Sequence, residues 1–169
     1  MGKSTTNTGG ADVSLPTLDK IDKVLLTAVQ KDSTQTIERL AAMAGASPSA
    51  VQRRVKRLAA KGIIRGYVAC VDAKRVGRRL TFVVTLQIER KAADLYTKLA
   101  RWVKNCDAVQ QCYNVTGEDD FVLVITAESM EEYDLLMEQL LDTNPNVRRF
   151  TTRAVLQTFK DGRFVPVSA

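Results

Sequence analysis

Apolar residues in the first third of the chain recur every three or four positions, which is the spacing of one face of a helix. Three such stretches occur. Thr36 and Ser47 precede the second and third as candidate N-caps, while Gly45 and Gly62 follow them as left-handed stops. Because only residues 45–47 separate the second helix from the third, the pattern predicts a helix-turn-helix motif. The inward positions are Leu18, Ile21, Leu25 and Val29; Ile37, Leu40, Ala41 and Ala44; and Val51, Val55 and Leu58.

The third helix, residues 47–61, has two faces of opposite character. Its outward face carries cations and hydrogen-bonding groups but no carboxylate, which suits a negatively charged partner with exposed base edges, such as double-stranded DNA. An alternative is that these charged side chains are simply solvated on the helix surface and bind no partner. We expect base contacts from Ser49, Gln52, Arg53 and Lys56, and phosphate contacts from Arg54, Arg57 and Lys61, with Ser47 at the helix start.

The apolar period changes after Gly62. β-Favouring residues at 63–71 predict a hinge strand or a wing, and a basic turn at 73–79 follows, whose cations either touch phosphates or are solvated. From Leu80 onward, alternating residues predict strands near 80–88, 108–116, 121–127 and 147–159, with helices near 92–104 and 130–140. The order βαββαβ predicts a ferredoxin-like sandwich with both helices on one sheet face. The fold class is therefore α+β, a winged helix-turn-helix joined to this sandwich.

The strand at 121–127 is apolar on both sides, so we expect a second copy to cover the open sheet face and form a homodimer.

Residues 1–17 are rich in Thr, Gly and Ser and are expected to be a disordered leader. No apolar run approaches the roughly 20 residues that span a bilayer, and no secretory signal is evident, so we expect a cytoplasmic protein without membrane contact.

Charge separates the two halves of the chain. Residues 1–79 hold 15 basic and 6 acidic residues, for a net charge of +9, whereas residues 80–169 carry −3. This asymmetry suggests a nucleic-acid-binding half joined to a half with another task. Three cysteines without CxxC spacing and the absence of histidine disfavour disulfides, metal sites, cofactor chemistry and Ser-His or Cys-His catalysis.

Three motifs together resemble the Lrp/AsnC family, the feast/famine transcriptional regulators, over residues 18–159. They are LDxIDxxLLxxxQxD from Leu18, GxSPSxVxxRVKRLxxxGIIxGY from Gly45, and VTGxxDF from Val115. The resemblance implies DNA binding, dimers that assemble to tetramers or octamers, and an amino-acid effector bound between dimers. It places the effector site at the loop of Thr116, Gly117 and Asp120, with Met130 and the segment 153–155 lining or adjoining it.

Three features depart from the family pattern. Asp119 stands where an aromatic residue is common, so the effector loop is more acidic. Arg153 stands where an uncharged residue suits an aliphatic ligand, which leaves open a polar ligand, an ion pair with Asp119 or Asp120, or no ligand. Ala44 and Ala46 are smaller than the branched residues expected around the turn. On residue chemistry alone, the acidic loop is also consistent with a solvated hairpin turn.

We therefore expect a leader (1–17), a helix-turn-helix domain (18–64), a hinge strand and basic turn (65–79), an effector-binding and dimerisation domain (80–159) and a tail (160–169). The predicted function is effector-modulated transcriptional regulation in the cytoplasm of a bacterium or archaeon, in association with the nucleoid. One alternative is an RNA-binding module, although the acidic second half lacks paired aromatics on its sheet. Others are an amino-acid-binding regulatory protein without DNA binding and an amino-acid-metabolising enzyme, for which no catalytic constellation is present.

Overall fold

A computed structural model describes residues 17–89, 93–162 and 164–167. Nearly all of the expected leader lies outside these residues. The chain forms two units: residues up to Val68 together with the chain end from Gly162, and Ala69–Asp161. None of the helices described is long and apolar enough to cross a membrane.

The first unit contains the three predicted helices, α1 (Lys20–Lys31), α2 (Ile37–Ala44) and α3 (Pro48–Ala60). Thr36 and Ser47 cap α2 and α3 as predicted, and Gly45 ends α2 in the left-handed region at φ 61°. Inward residues from all three helices form one core of Leu25, Ala28, Leu40, Ala41 and Val51, with Ala44, Ala46 and Val55 packed around it. The helix-turn-helix prediction is confirmed.

A buried carboxylate joins α1 to α3. Asp22 is 1% exposed and accepts hydrogen bonds from Arg54 Nη1 at 3.0 Å and from Arg57 Nη2 at 2.8 and 2.6 Å. Asp19, the N-cap of α1, forms a reciprocal capping box with Asp22 and a further ion pair with Arg54. The backbone N–H of Asp22 and the Arg54 guanidinium lower the pKa of the Asp19 carboxyl. These contacts fix the rotation of α3 about its own axis.

The predicted hinge strand is absent between α3 and the first strand of the sheet. Tyr67, Val68 and Val71 are instead 52%, 74% and 67% exposed in a segment without strand pairing. A strand requires hydrogen bonds from a neighbour, and β-favouring side chains alone do not supply one. The expected wing is not formed by this segment.

The second unit contains β1 (Leu80–Ile88), α4 (Ala93–Asn105), β2 (Val109–Asn114), β3 (Phe121–Ala127), α5 (Met130–Thr143) and β4 (Val147–Ala154). The antiparallel sheet has the order β2-β3-β1-β4, so the predicted βαββαβ sandwich and the α+β class are confirmed. Leu99 of α4 and Met137 of α5 pack with Phe82, Val84 and Leu123 in one core on a single sheet face.

The basic turn is held within the second unit by Arg78. Its Nε donates to Thr126 Oγ1 at 3.0 Å, and its Nη2 donates to the Thr126 carbonyl and to Glu132 Oε1, the latter at 2.9 Å. The backbone N–H of Glu128, together with Arg78, lowers the pKa of Glu132. Because its guanidinium is engaged by these contacts, Arg78 is a structural residue here, a role that differs from both alternatives considered for the cations of this turn.

The chain end contacts α1 rather than continuing as a separate tail. The Val165 backbone N–H donates to Gln30 Oε1 at 2.8 Å, and Gln30 Nε2 donates to the Val165 carbonyl at 3.1 Å. These two bonds place the end of the chain in the first unit.

We predict that Asp22→Asn lowers the free energy of unfolding of the first unit by about 2 kcal/mol, because the charge-assisted hydrogen bonds from two arginines lose their anionic acceptor. Chemical unfolding combined with amide exchange of α1 and α3 measures this loss. Asp107→Asn, at an exposed position, is the matched control. Equal stability of the two variants would contradict the role given to Asp22.

Acid should weaken the first unit through Asp19. Because its folded-state pKa lies below the ordinary value of 3.8, its contribution is present above that value and is lost as the pH falls through the folded-state pKa. Asp19→Asn should therefore flatten the acid limb of a pH–stability curve below about pH 4. If the pH dependence of stability below about pH 4 is the same in Asp19→Asn and the wild-type protein, the Asp19 capping box does not contribute to the stability of the first unit.

Candidate nucleic-acid interface and effector loop

The turn at residues 45–47 and the core positions of α3 determine which side of this helix faces outward. Val51 and Leu58 are 0% and 1% exposed, so they fix the buried side. The opposite side presents the four side chains predicted to contact bases, and all four are exposed: Ser49, Gln52, Arg53 and Lys56. The structure thus brings this predicted set together on one continuous, carboxylate-free surface.

Ser47 has a local role at the start of α3. Its hydroxyl accepts a hydrogen bond from the Ala50 backbone N–H at 3.3 Å and lies 3.3 Å from the Ser49 hydroxyl. This hydroxyl satisfies one of the free N–H groups at the helix N-terminus. Residues 47–49 at the start of α3 are exposed, and the positive end of the helix dipole there favours an anion.

The cations beside the exposed stripe of α3 are not equivalent. The side chain of Arg54 is 23% exposed, and its hydrogen bonds to Asp19 and Asp22 raise its pKa, so its charge is used inside the unit. Arg57 also binds Asp22, but its side chain is 46% exposed. Lys61, at the C-cap of α3, is exposed. Of the three expected phosphate ligands, Arg54 is thus the one most fully engaged by an internal partner.

The predicted effector loop is a tight hairpin turn between β2 and β3. Gly117 has φ 118°, a conformation that a side chain disfavours. One Asp120 carboxylate oxygen accepts from the Ile88 backbone N–H at 2.9 Å, and the Asp120 backbone N–H donates to the Leu86 carbonyl at 2.8 Å. Asp119 accepts from Gln87 Nε2 at 3.2 Å. The loop is therefore anchored to the end of β1, while Thr116 and Gly117 are exposed at its tip.

Met130 and Arg153 do not lie beside this loop within one chain. In the β1–β3 register, Phe121 lies opposite Leu86 at the end of β3 next to the loop, and Ala127 lies opposite Leu80 at the far end of β3. The two ends of this strand are about 20 Å apart. Met130 starts α5 just beyond Ala127, and Arg153 pairs with Val83 in the middle of β1. The ion pairs of the described residues do not include Arg153, so the suggested pair with Asp119 or Asp120 is not formed.

Sequence reasoning missed two sets of contacts: those of Asp19 and Asp22 with the arginines of α3 in the first unit, and the Arg78–Glu132 pair within the second unit. The spacing of Asp19 and Asp22, three residues apart at a helix start, is a recognisable capping-box signal. Arg78 and Glu132 are far apart in the chain, and nothing in their local sequence indicates the contact. Within the part of the chain that the structure describes, no cluster of three potential metal ligands occurs.

Comparison with known proteins covers both units. Residues 18–59 match the AsnC-type helix-turn-helix domain, and residues 81–165 match the Lrp/AsnC ligand binding domain. The chain is 39% identical over 150 residues to the uncharacterised HTH-type transcriptional regulator y4tD of Sinorhizobium fredii, covering 89% of each chain. It is 33% identical to the HTH-type transcriptional regulator LrpA of Mycobacterium tuberculosis over 150 residues, 88% of this chain and 97% of that protein.

Among solved structures, the fold is similar to the transcriptional regulator NMB0573 of Neisseria meningitidis in complex with L-Met, with a TM-score of 0.83 and 29% identity over 89% of this chain and 97% of that one. The matches extend through the three helices and the four-stranded sheet. The chain therefore belongs to the Lrp/AsnC family, and it is a DNA-binding transcriptional regulator rather than an enzyme.

Proposed function

We propose that two copies of this chain read operator DNA by placing α3 of each copy in successive major grooves. The observation that carries the proposal is the exposed, carboxylate-free stripe of α3, held in one orientation by a buried core and by Asp22. The major groove, about 12 Å wide, admits a helix of this kind. The protein then acts on DNA in the cytoplasm of a bacterium or archaeon.

Each side chain of the stripe has a role that follows from its chemistry. Arg53 suits guanine, whose O6 and N7 accept two hydrogen bonds, and Gln52 suits adenine in the same way. Ser49 and Lys56 lie on the same exposed side and extend the base contacts. Phosphates are held by Lys61, by Arg57 and by the N-terminus of α3 around Ser47. Arg54 positions the helix through Asp19 and Asp22 instead of meeting DNA.

Dimerisation supplies the second α3 and uses the sheet face opposite the helices. Val83, Val122 and Val124 are half-buried there and adjacent in the register, so the centre of this face is apolar. A second copy of the face removes these side chains from water. A twofold pair requires symmetric half-sites about one helical turn apart. Further association of dimers gives tetramers or octamers.

An amino-acid effector binds at the Thr116–Asp120 turn. The acidic turn provides anions for the ammonium group, and the backbone N–H groups near Gly117 provide donors for the carboxylate. The methionine complex of the Neisseria relative supports this class of ligand. Because Met130 and Arg153 are remote from the turn within one chain, they contribute to the same site only from a neighbouring copy. The effector alters DNA binding when it prefers one assembly over another.

The DNA contact is tested with Arg53→Ala on duplexes that the wild-type protein selects from a random library. Loss of a bidentate guanine contact should weaken binding by about 1–3 kcal/mol and relax the preference at one base position of each half-site. Lys31→Ala removes one charge at the end of α1 and is the matched control. If Arg53→Ala binds duplex DNA with the wild-type affinity, salt dependence and base preference, α3 is not the helix that reads the DNA sequence.

The effector site is tested by thermal-shift titration with the twenty amino acids, starting from L-methionine. Asp120→Asn keeps an acceptor for the Ile88 N–H but removes the charge, so binding of the stabilising amino acid should weaken by about tenfold or more while the dimer persists. Asp107→Asn is the control. If no amino acid stabilises the wild-type protein, or if Asp120→Asn responds as wild type does, this site is wrong.

A further inference from the structure

A cluster of cations outside the helix-turn-helix unit lies in the turn that precedes β1. Residues 73–79 contain four cations and no carboxylate, whereas residues 80–169 carry a net charge of −3. This turn belongs to the second unit. The positive charge is therefore concentrated at the start of a unit whose remaining sequence is acidic overall. The four cations are Lys74, Arg75, Arg78 and Arg79.

Backbone hydrogen bonds fix the conformation of this basic turn. The Asp72 carboxylate accepts from the backbone N–H groups of Lys74 at 3.0 Å and of Arg75 at 3.4 Å. It thereby caps a single 3₁₀ turn, Ala73–Val76. Gly77 ends that turn in the left-handed region at φ 93°, a conformation that residues with a side chain rarely adopt.

Arg78 holds the basic turn against the rest of the second unit. Its backbone N–H donates to the Ala73 carbonyl at 2.9 Å, which brings the two ends of the turn together. Its side chain donates to Thr126 and to Glu132. The turn is thus fixed both internally and to the end of the sheet.

The other three cations of the turn are exposed and have little internal compensation. Arg75 Nε lies 3.5 Å from a carboxylate oxygen of Asp72, but their side chains are 88% and 57% exposed, so this pair contributes little. Within the part of the chain that the structure describes, Lys74 and Arg79 form no ion pair. A fixed backbone therefore keeps like charges close together, and an external anion lowers their mutual repulsion.

We propose that this basic turn is a second DNA contact, which binds backbone phosphates in the DNA that flanks each half-site. Duplex DNA presents about one negative charge for every 1.7 Å of its axis, so three exposed cations in one turn can each meet a phosphate. Phosphate contacts carry no sequence information directly. The turn therefore adds affinity and salt dependence, whereas the base preference comes from α3.

The length of the connecting chain keeps the turn near the DNA that α3 binds. Eleven residues lead from Lys61, at the end of α3, to Asp72, and an extended chain of this length spans at most about 40 Å. This distance corresponds to about 12 base pairs at about 3.4 Å each. In this respect the inference rests on the proposed function, because α3 brings the turn to the duplex. An acidic protein surface has the same type of charge, but no such connection brings it to the turn.

The test measures the affinity of the full-length protein for two duplexes over a range of salt concentrations. The short duplex contains only the selected half-sites, and the long duplex adds about 15 base pairs of unrelated sequence on each side, which exceeds the reach of the chain. One variant removes the three exposed cations of the turn and keeps Arg78: Lys74→Ala/Arg75→Ala/Arg79→Ala. The control removes the same charge from exposed positions of α4: Lys98→Ala/Arg101→Ala/Lys104→Ala.

On the long duplex, we expect the turn variant to bind at least about tenfold more weakly than the wild-type protein and the control. The slope of log K against log salt should fall by about 2–3 for each turn that contacts DNA. On the short duplex the three proteins should bind alike and with the same base preference, which also shows that the turn variant is folded. Lys74→Arg/Arg75→Lys/Arg79→Lys keeps the charges and should bind the long duplex as the wild-type protein does.

Three results would overturn the proposal. The first is equal binding of the long duplex by the turn variant and the wild-type protein, which would mean that these cations are solvated or bind an acidic protein. The second is a loss that is equally large in the control or on the short duplex, because the loss would then not come from a contact with flanking DNA. The third is weak binding by the charge-preserving variant, because charge would then not be the cause.

The outcomes separate this inference from the proposed function. If the wild-type protein selects no duplex from the library, operator recognition fails. The turn variant and the control are then compared on an unrelated duplex of about 40 base pairs, where a smaller salt slope of the turn variant alone still supports a phosphate contact. Selective duplex binding with equal salt slopes in all proteins supports operator recognition and rejects the turn as a DNA contact.

Discussion

The orientation of α3 depends on a buried carboxylate. Asp22 is almost completely removed from water, a position that a charged group tolerates only when hydrogen bonds and opposite charges replace its hydration. Arg54 and Arg57 supply that replacement from α3, and the capping box with Asp19 fixes the carboxylate at the start of α1. The same contacts that lower the cost of burial therefore fix the rotation of the helix that carries the exposed cationic stripe.

This arrangement explains why neighbouring cations on one helix have different roles. Arg53 and Arg54 are adjacent in the chain, but a residue of a helix turns by about 100° relative to the one before it. Arg53 therefore projects outward, whereas Arg54 reaches α1. The periodicity predicted the three helices because branched apolar residues mark the buried side. It placed Arg53 on the exposed stripe but assigned Arg54 to phosphate, because the acceptors of Arg54 are on another helix and become neighbours only after α1 and α3 pack.

Two other differences between expectation and structure have related causes. Tyr67 and Val68 favour strands, but strand formation needs a hydrogen-bonding neighbour, which propensity does not encode. The effector residues were transferred from a family resemblance, which assigns positions without stating which copy of the chain provides them. The register of β1 with β3 separates the Gly117 turn from Met130 by the length of the strand. Alternation of apolar residues predicted the strands, and their recurrence every three or four positions predicted both helices, since each period is local.

The sheet also limits how an effector at the site proposed for it, the Gly117 turn, can influence DNA binding. The chain enters the second unit at Leu80, and Arg78 fixes that entry to Thr126 and Glu132 at the end of the sheet opposite the turn. Between the two ends lies a core whose central residues, such as Val84 and Leu123, are fully buried, and close-packed cores resist continuous deformation. A displacement caused by a small ligand at the turn is therefore transmitted only weakly to the segment before Leu80 of the same chain. In the proposed function, the effector therefore acts by changing how copies associate, because the tip of the turn is exposed to a neighbouring copy.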